Sequence, residues 1–365
     1  FSQALRALST RPAGAFAVTT TADDGPGSLR EALTLADTIQ GADNSLIRFE
    51  IPGEGPHVIT PEQPLPAPVE GITLDGFTQP GSGANADPER DTAVRTIHLD
   101  GALLPTGGTG LILAAQDSRV RGLVFTRFAG GALELAGNSN RVEGCHFVSN
   151  QVAGLRITGG SGHRIGGPAP AQRNRFSANA FLHITEGTGS GGDLRIQGNF
   201  IGVGPDGVVG TPDFLQGIEL AGSGPSLIGG ATAAEANRMA NRIPISIIGG
   251  RGHTVRGNRA AAEGFPIPDL PVFGNDPGDA DTGANDLQNS PAITEAAVVT
   301  EGTRIRGTLG STPSSIFALD FYSMPAAGLV LERHLGTTSV TTDAAGNAAF
   351  EVTLPVRALR GRVIA

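Results

Sequence analysis

The chain has 365 residues, of which 39% are hydrophobic, so it is long enough to bury the core of one large domain or two ordinary ones. Its net charge is −9 and all 26 basic residues are arginine, which argues against a nucleic-acid surface and excludes lysine chemistry such as Schiff-base formation. The 54 glycines and 25 prolines indicate many short elements joined by turns, and no apolar run reaches the roughly 18 residues that a membrane helix needs.

The N-terminal region contains one predicted helix. Residues 1–15 show no pattern and stay unassigned. Residues 28–40 are predicted to form an amphipathic helix, with Ser28 as the N-cap and Glu31 completing a capping box. Its apolar face comprises Leu29, Ala32, Leu33, Ala36 and Ile39. We expect this helix to cover the first coil of the repeats that follow, because an open end of a repeat array exposes unpaired strand edges.

Two apolar phrases recur along the middle of the chain. The first is an apolar-x-apolar triplet, found as Ile72-Thr73-Leu74, Ile97-His98-Leu99, Leu111-Ile112-Leu113, Leu133-Glu134-Leu135, Leu155-Arg156-Ile157, Leu182-His183-Ile184, Ile218-Glu219-Leu220 and Ile245-Ser246-Ile247. The apolar members of the second phrase are Val120, Val142, Ile165, Ile196, Ile228 and Val255, separated by 22, 23, 31, 32 and 27 residues. Such a period, with alternating side chains and intervening Gly, Asn and Ser, indicates a solenoid of short strands.

The repeat predicts an all-β fold, a right-handed parallel β-helix solenoid over residues 16–265. Each strand would pair with its equivalent one coil later at about 4.8 Å, so that like side chains stack inside. One predicted inward column is Leu113, Leu135, Ile157, Ile184, Leu220 and Ile247, and another contains Phe125, Phe147 and Ile201. Cys145, the only cysteine, is expected beside Leu123 and Asn199 as a buried and inert thiol.

The outward positions of the first phrase suggest a candidate catalytic row. Glu134, Arg156 and His183 would lie side by side, where they suit proton abstraction next to a uronate carboxyl group and stabilisation of the resulting anion. The alternative is a solvated ladder of opposite charges. The remaining histidines lack metal-ligand spacing and are interpreted as surface or loop residues: His57, His146, His163, His253 and His334.

A second outward set is a column of four arginines, Arg119, Arg141, Arg164 and Arg195, which we call the arginine column. Guanidinium groups at this spacing repel one another unless acidic groups or an anionic ligand lie alongside, and Glu143 is a candidate neutraliser next to Arg141. The column would bind an acidic polysaccharide through bidentate contacts. Alternatively, the arginine stems cover the wall of the solenoid and their heads bind loop carbonyls.

An acidic linker follows the repeats at residues 266–291. It concentrates Asp276, Asp279, Asp281 and Asp286 among glycines, a composition typical of loops that bind calcium. The alternative is a cluster of turns in which the aspartates accept hydrogen bonds from their own backbone. Residues 292–365 then alternate as antiparallel strands and are predicted to form a small immunoglobulin-like β-sandwich whose last strand is incomplete.

These phrases together resemble a family of secreted bacterial proteins with right-handed, pectate-lyase-like parallel β-helices behind an N-terminal Cys-Ser-Leu-Arg-Glu-Ala segment. Here the segment is Gly27-Ser28-Leu29-Arg30-Glu31-Ala32, with glycine replacing cysteine, after FAVTTTADDGPG. The phrases GNFIGVGPDGVVGT, GDADTGANDLQNSPAI and TTDAAGNAAFEVTLP extend the resemblance to about residues 16–361. It implies export and an extracellular or cell-surface location.

Two functional hypotheses follow from the sequence. The first is a secreted or cell-surface structural or adhesive β-helix protein that binds surface proteins or glycans, or assembles with itself. The alternative is a carbohydrate-active enzyme, a lyase, hydrolase or epimerase, that acts on an acidic polysaccharide through Glu134, Arg156 and His183. The fold does not decide between them, because β-helices serve both purposes.

Overall fold

The computed structural model of the protein describes residues 15–38, 44–207, 213–260, 274–325, 333–358 and 361–364. Strands dominate these residues and form three parallel and two antiparallel sheets. The predicted all-β class is therefore confirmed.

Each of the three parallel sheets is named by how many strands it contains. In spatial order, the nine-strand sheet contains β1 (Ala15–Val18), β2 (Ser45–Phe49), β4 (Ile72–Asp75), β7 (Arg119–Arg121), β10 (Arg141–Glu143), β13 (Arg164–Gly166), β16 (Leu194–Gln197), β19 (Ser226–Gly229) and β22 (Thr254–Arg256). The eight-strand sheet contains β3 (His57–Ile59), β5 (Ile97–Asp100), β8 (Leu123–Thr126), β11 (His146–Val148), β14 (Arg175–Ser177), β17 (Phe200–Ile201), β20 (Arg238–Met239) and β23 (Arg259–Ala260). The six-strand sheet contains β6 (Leu111–Leu113), β9 (Gly131–Leu135), β12 (Ala153–Ile157), β15 (Leu182–Glu186), β18 (Asp213–Leu220) and β21 (Asn241–Ile247).

From β7 onward the chain visits the nine-, eight- and six-strand sheets in turn, and each strand pairs in parallel with the strand of its own sheet one circuit later. Short 3-10 turns lie at Gly76–Thr78, Gly101–Leu103, Pro170–Gln172 and Ala284–Leu287. A left-handed glycine makes the corner between the nine- and eight-strand sheets, as at Gly122 with a φ of 71° and Gly144 with a φ of 63°.

The inward residues of all three sheets fill one hydrophobic core. The apolar members of the second phrase lie in register as predicted, from Val120 through Val142 to Val255. The predicted aromatic column is also present, and Phe176 joins it. The rings of Phe125, Phe147 and Phe176 are stacked with centroids 4.9 and 4.8 Å apart.

One predicted inward column is wrong at a single position. Ile184 pairs with Leu155 and not with Ile157, and the position opposite Ile157 belongs to Glu186. The triplet rule failed because the segment of β15 that pairs with Leu155-Arg156-Ile157 is Ile184-Thr185-Glu186, which ends in a polar residue, whereas the apolar triplet that fits the rule ends at Ile184. A carboxyl group therefore lies in the core column, and the Glu186 side chain is fully buried.

Buried asparagines hold successive circuits together. The side chain of Asn174 donates to Asn199 at 3.0 Å, Asn199 donates to Asn237 at 3.0 Å, and Asn237 donates to Asn258 at 2.9 Å. Each of these residues also binds backbone groups of neighbouring circuits, as when Asn199 donates to the Ile165 carbonyl at 2.9 Å. Such a ladder satisfies the polar groups of the tight bends without water.

The buried thiol is as predicted. Cys145 is fully buried and lies in register between Leu123 and Asn174, with Asn199 one circuit further on. Burial raises the pKa of the Cys145 thiol to about 12, so the group is a neutral core residue at physiological pH.

The N-terminal helix α1 spans Leu29–Asp37 and buries Leu29, Ala32, Leu33 and Ala36. Ser28 caps it and accepts from the backbone N–H of Glu31 at 3.1 Å. The Glu31 carboxylate accepts from the N–H of Gly27 at 2.6 Å, one residue earlier than a standard capping box requires. Ile39 and residue 40 lie outside the described residues. The helix packs on β1 and β2 at the N-terminal edge, which covers that end of the core.

The C-terminal residues form two antiparallel sheets with a hydrophobic core of their own. One sheet contains β24 (Ala292–Val299), β25 (Gly302–Gly310) and β28 (Asn347–Leu354), and the other contains β27 (Arg333–Thr341), β26 (Ile316–Pro325) and β29 (Gly361–Ile364).

These sheets and the linker contact the last circuit of the parallel sheets. Gly257 donates its backbone N–H to the Tyr322 hydroxyl at 2.8 Å. In the linker, Asn285 donates its backbone N–H to the carbonyl of Gly250 at 2.8 Å and accepts from the N–H of His253 at 2.7 Å. Backbone polar groups of the last circuit are thus hydrogen-bonded to the linker and to the antiparallel sheets.

Candidate functional site

The outward face of the six-strand sheet brings two of the three predicted catalytic residues together. Glu134 on β9 and Arg156 on β12 are directly paired across the sheet, and an Arg156 Nη lies 3.6 Å from a Glu134 carboxylate oxygen. The Thr158 hydroxyl donates to the same carboxylate at 3.0 Å. These contacts form a half-buried ion pair on a regular sheet.

His183 does not join this row. Arg156 pairs with Thr185, because His183 lies two residues earlier in register than the triplet rule implied. Its imidazole is 1% exposed, 2.8 Å from the amide nitrogen of Asn179 and packed 6.3 Å from the Phe176 ring. The predicted juxtaposition of His183 with Glu134 and Arg156 is therefore wrong.

The arginine column has the predicted register on the outward face of the nine-strand sheet. Arg119 pairs with Arg141, Arg141 with Arg164, and Arg164 with Arg195. Four guanidinium groups therefore follow one another up the sheet at the separation of neighbouring strands, about 4.8 Å. Arg141 and Arg195 are exposed.

Two acidic residues partly neutralise the arginine column. Glu143 accepts from Arg119 at 3.0 Å, so it neutralises one member of the arginine column, as expected. Asp193 lies 3.6 Å from Arg164 and 3.9 Å from Arg195. The sequence interpretation in which arginine heads bind loop carbonyls holds for Arg164, whose Nη1 donates to three of them. With four cations and two anions, the column keeps an excess of positive charge.

Three of the four predicted metal ligands converge in the linker. Carboxylate oxygens of Asp276, Asp279 and Asp281 all lie within 4.8 Å of one another. Asp286 is not among them, because its carboxylate pairs with Arg251 at 3.0 Å. Partial desolvation and the charges of Asp276 and Asp279 raise the pKa of Asp281. Carboxylate oxygens are the type of ligand that calcium prefers.

The linker aspartates also accept hydrogen bonds within the protein. Asp279 accepts from the backbone N–H of Asn289 at 2.8 Å and from the Ser311 hydroxyl at 2.7 Å. Asp276 accepts from the N–H of Ala280 at 3.1 Å. One oxygen each of Asp276 and Asp281 has no hydrogen-bond partner among the described residues.

A cleft that sequence reasoning missed lies on the outward face of the eight-strand sheet. We call it the eight-strand cleft, and its volume is about 490 Å³. Its floor carries His98, Val124, His146 and Arg175, which occupy equivalent positions of successive circuits. Thr126 and Val148 form the next outward column of the floor.

Two loops form the walls of this cleft. One wall is the segment that contains Asp91, Ala93 and Arg95, and Pro205 contributes to the other. The backbone N–H of Asp91 donates to the Pro205 carbonyl at 2.7 Å and so joins the two loops. Arg95 forms a bidentate pair with Asp91, with both contacts at 2.9 Å, and donates to the Gly144 carbonyl at the corner of the sheets.

The floor of the cleft is electropositive although its histidines are neutral. Burial and then the charges of Arg175, Arg95 and His98 lower the pKa of His146 to about 3. Burial also lowers the pKa of His98. The His146 ring lies 2.9 Å from the Ser177 hydroxyl, and its neutral imidazole offers hydrogen-bonding groups with no charge.

The interpretation of the isolated histidines as surface or loop residues fails for His57, which is buried on β3, whereas His163 and His253 are buried but lie in loops as expected. In the cleft, the missed signal was that His98, His146 and Arg175 each come directly before an inward residue of the aromatic column. These inward residues are Leu99, Phe147 and Phe176. Alignment on the inward phenylalanines would have placed these three side chains in one outward column.

Comparisons with known proteins are sparse. No protein-family model matches the chain, and no curated protein matches it. Among solved structures the chain is similar to ORF18 of Geobacillus virus E2, with 11% sequence identity and a TM-score of 0.24, over 93% of this chain and 76% of the viral chain. A similarity at this level carries no argument. Within the described residues, no helix is both long enough and apolar enough to cross a bilayer.

Proposed function

We propose that this protein is an exported parallel β-helix protein that binds an acidic polysaccharide along its arginine column. The observation that carries the proposal is the register of Arg119, Arg141, Arg164 and Arg195. Among the described residues, the carboxylates paired with them are those of Glu143 and Asp193. A regular row of guanidinium groups suits a repeating anion, because each group offers a planar pair of donors to a carboxylate or sulfate.

The β-helix assignment rests on the path of the chain. Three parallel sheets, strands that pair with their equivalents one circuit later and a single enclosed core together support it. The two antiparallel sheets with their own core support an immunoglobulin-like module. The resemblance of Gly27-Ser28-Leu29-Arg30-Glu31-Ala32 to a segment of secreted proteins supports export to the cell surface or beyond.

Binding is better supported than self-assembly through the C-terminal end. The groups of Gly250, His253 and Gly257 in the last circuit contact the linker and the Tyr322 hydroxyl, which would compete with a second molecule for that edge. Binding is also better supported than catalysis by the predicted row, because His183 is enclosed.

The test is a titration of the purified protein with polygalacturonate, alginate and heparin at low and high salt. We expect binding that weakens with salt, and an affinity at least tenfold lower in the double variant Arg141→Gln/Arg195→Gln. The matched control is Arg304→Gln/Arg306→Gln, which removes two exposed arginines from β25 and should bind like the native protein.

Equal losses in both double variants, or no binding to any of these polysaccharides, would contradict the proposal. The same mixtures also test the enzymatic alternative, because a lyase releases unsaturated uronate products that absorb ultraviolet light. Appearance of such products, and their loss in Glu134→Gln, would favour the enzyme.

Calcium binding at Asp276, Asp279 and Asp281 is the second part of the proposal. Ca²⁺ there would neutralise three carboxylates that lie within 4.8 Å of one another. Because Asp279 also binds Ser311, the ion would stiffen the junction between the linker and β25.

A further inference from the structure

The eight-strand cleft has the features of a small-molecule site that is separate from the arginine column. It combines a concave volume of about 490 Å³ with a polar floor and apolar groups such as Val124, Val148 and Pro205. Small-molecule sites typically occupy about 300–1,000 Å³ and are apolar with a few converging polar groups. A monosaccharide or another small organic acid is of a suitable size.

The charges of the floor select the sign of the ligand. Arg175 is half-buried, and its burial, together with the like charge of Arg95, lowers its pKa although Asp91 and the exposed Asp206 act in the opposite sense. A guanidinium stays protonated throughout the physiological range, so Arg175 is a permanent cation in the floor, with the carboxylates of Asp91 and Asp206 acting on it. The charges that act on His146, those of Arg175, Arg95 and His98, all lower its pKa, as positive charges do.

The groups near Arg175 can orient a bound ligand by hydrogen bonds. Asp91 is already committed to Arg95 in a bidentate pair with both side chains buried, so it does not neutralise the floor on its own. The imidazole of His146 is the direct neighbour of Arg175 in the floor, and the Thr126 hydroxyl and the His98 imidazole lie further along the floor on β8 and β5. Such an arrangement suits a carboxylate next to hydroxyl groups.

We propose that the eight-strand cleft binds a small organic carboxylate of monosaccharide size, with the carboxylate at Arg175 and the remaining polar groups at His146 and Thr126. The site belongs to a different sheet from the arginine column, so the two proposals stand or fall separately.

The experiment titrates the whole protein with sodium glucuronate, glucose, acetate and inorganic phosphate by calorimetry, with thermal shift as a second readout. We expect glucuronate to bind, glucose and acetate to bind at least tenfold more weakly, and phosphate to bind more weakly than glucuronate. Arg175→Gln should lose at least tenfold in affinity for glucuronate. Arg304→Gln, the same substitution on β25 and outside both proposed sites, should leave this affinity unchanged.

A second variant and a pH series complete the test. Thr126→Val preserves the shape of the floor and should weaken glucuronate severalfold, which keeps the proposal testable if Arg175→Gln does not fold. Since the pKa of His146 is lowered to about 3, protonation of His146 should not change the affinity between about pH 5 and pH 8, whereas an ordinary histidine would titrate near 6.5. Equal binding of glucose and glucuronate, unchanged affinity in Arg175→Gln, or no binding would overturn the proposal.

Discussion

Arg256 on β22 forms an ion pair with Asp320 on β26, with the Arg256 Nε 3.3 Å from a carboxylate oxygen of Asp320. The pair joins the last strand of the nine-strand sheet to the antiparallel sheets. His334 lies 3.1 Å from the same carboxylate and Thr337 also donates to it. Burial alone would raise the pKa of Asp320, but these two hydrogen bonds and the charge of Arg256 outweigh it, so the pKa is lowered.

The first prediction concerns this junction. Asp320→Asn should lower the free energy of unfolding by about 1–3 kcal/mol at neutral pH, since it removes the charge from a mostly buried carboxylate that has several partners. Because the folded pKa is lowered, the stabilisation is present above the unfolded value of 3.8 and is lost as the pH falls through the folded pKa. The difference between the variant and the native protein should therefore disappear in strong acid.

Urea unfolding monitored by tyrosine fluorescence measures this effect, because the chain has one tyrosine, Tyr322, and no tryptophan. Glu351→Gln is the control, since it breaks an exposed pair with Arg306 and should have little effect on the free energy of unfolding. An equal cost in both variants at every pH would show that the Asp320 pair contributes nothing particular.

The second prediction concerns the asparagine ladder. Asn199→Ala removes the acceptor of two groups on Asn174 and the donor to Asn237 and Ile165, all of them buried. We expect a loss of about 3 kcal/mol or more in unfolding free energy, because several buried polar groups lose their partners together. Asn138→Ala, at an exposed bend where the side chain accepts from Ser161, should cost about 1 kcal/mol or less. Chemical denaturation followed by circular dichroism distinguishes these values, and similar losses would mean that the ladder has no special role.

The class of fold was predictable from the sequence because alternation and period depend on local side-chain patterns. Val120, Val142 and Ile165 each follow an arginine and lie just before a turn, so two sequence signals, the arginine and the turn, both indicate their register. A second pair of buried asparagines, in which Asn150 donates to Asn179 at 2.8 Å, supplies the same kind of reference point. Asn150 and Asn179 each lie three residues before the first paired residue of β12 and β15, and alignment on them places Glu186 opposite Ile157.

The candidate sites were less predictable, because they depend on where long loops fold back. Arg95 and Asp91 come from a loop without a repeat phrase, and only its position over the eight-strand sheet turns His98 and His146 into the floor of a cleft. Likewise, composition placed Asp286 with the other linker aspartates, whereas its pairing with Arg251 depends on how the linker contacts the last circuit. Neither contact leaves a local signature.

The third prediction concerns calcium. Addition of Ca²⁺ should raise the thermal midpoint, with a stabilisation of about 2.7 kcal/mol when the free ion is about 100 times its dissociation constant. Mg²⁺ should have a smaller effect, because it demands stricter geometry and keeps its water. Asp281→Asn should abolish most of the Ca²⁺-dependent shift, whereas Asp286→Asn should retain it because Asp286 lies outside the cluster. A shift that survives Asp281→Asn, or none at all, would exclude this site.

The fourth prediction concerns Glu186, whose carboxyl group lies in the core column between Ile157 and Leu220. Ser190 donates to one carboxylate oxygen at 2.7 Å, and the other has no hydrogen-bond partner among the described residues. Burial raises the pKa of Glu186 against the opposing effects of the Ser190 hydroxyl and the charge of His253. The folded state therefore holds this proton at pH values where the unfolded chain has released it, so stability should fall as the pH rises above about 4.5.

Glu186→Gln removes this ionisation while the amide oxygen keeps the bond from Ser190. We expect the variant to be more stable than the native protein near neutral pH by on the order of 1 kcal/mol, and the advantage to vanish below the unfolded pKa, where both side chains are neutral. Glu134→Gln is the matched control, because it makes the same change on the outward face and breaks the pair with Arg156, so it should not stabilise the protein. Urea unfolding at several pH values measures both variants. If Glu186→Gln were less stable at neutral pH and kept the native pH profile, Glu186 would be ionised in the folded core with a partner that outweighs its desolvation.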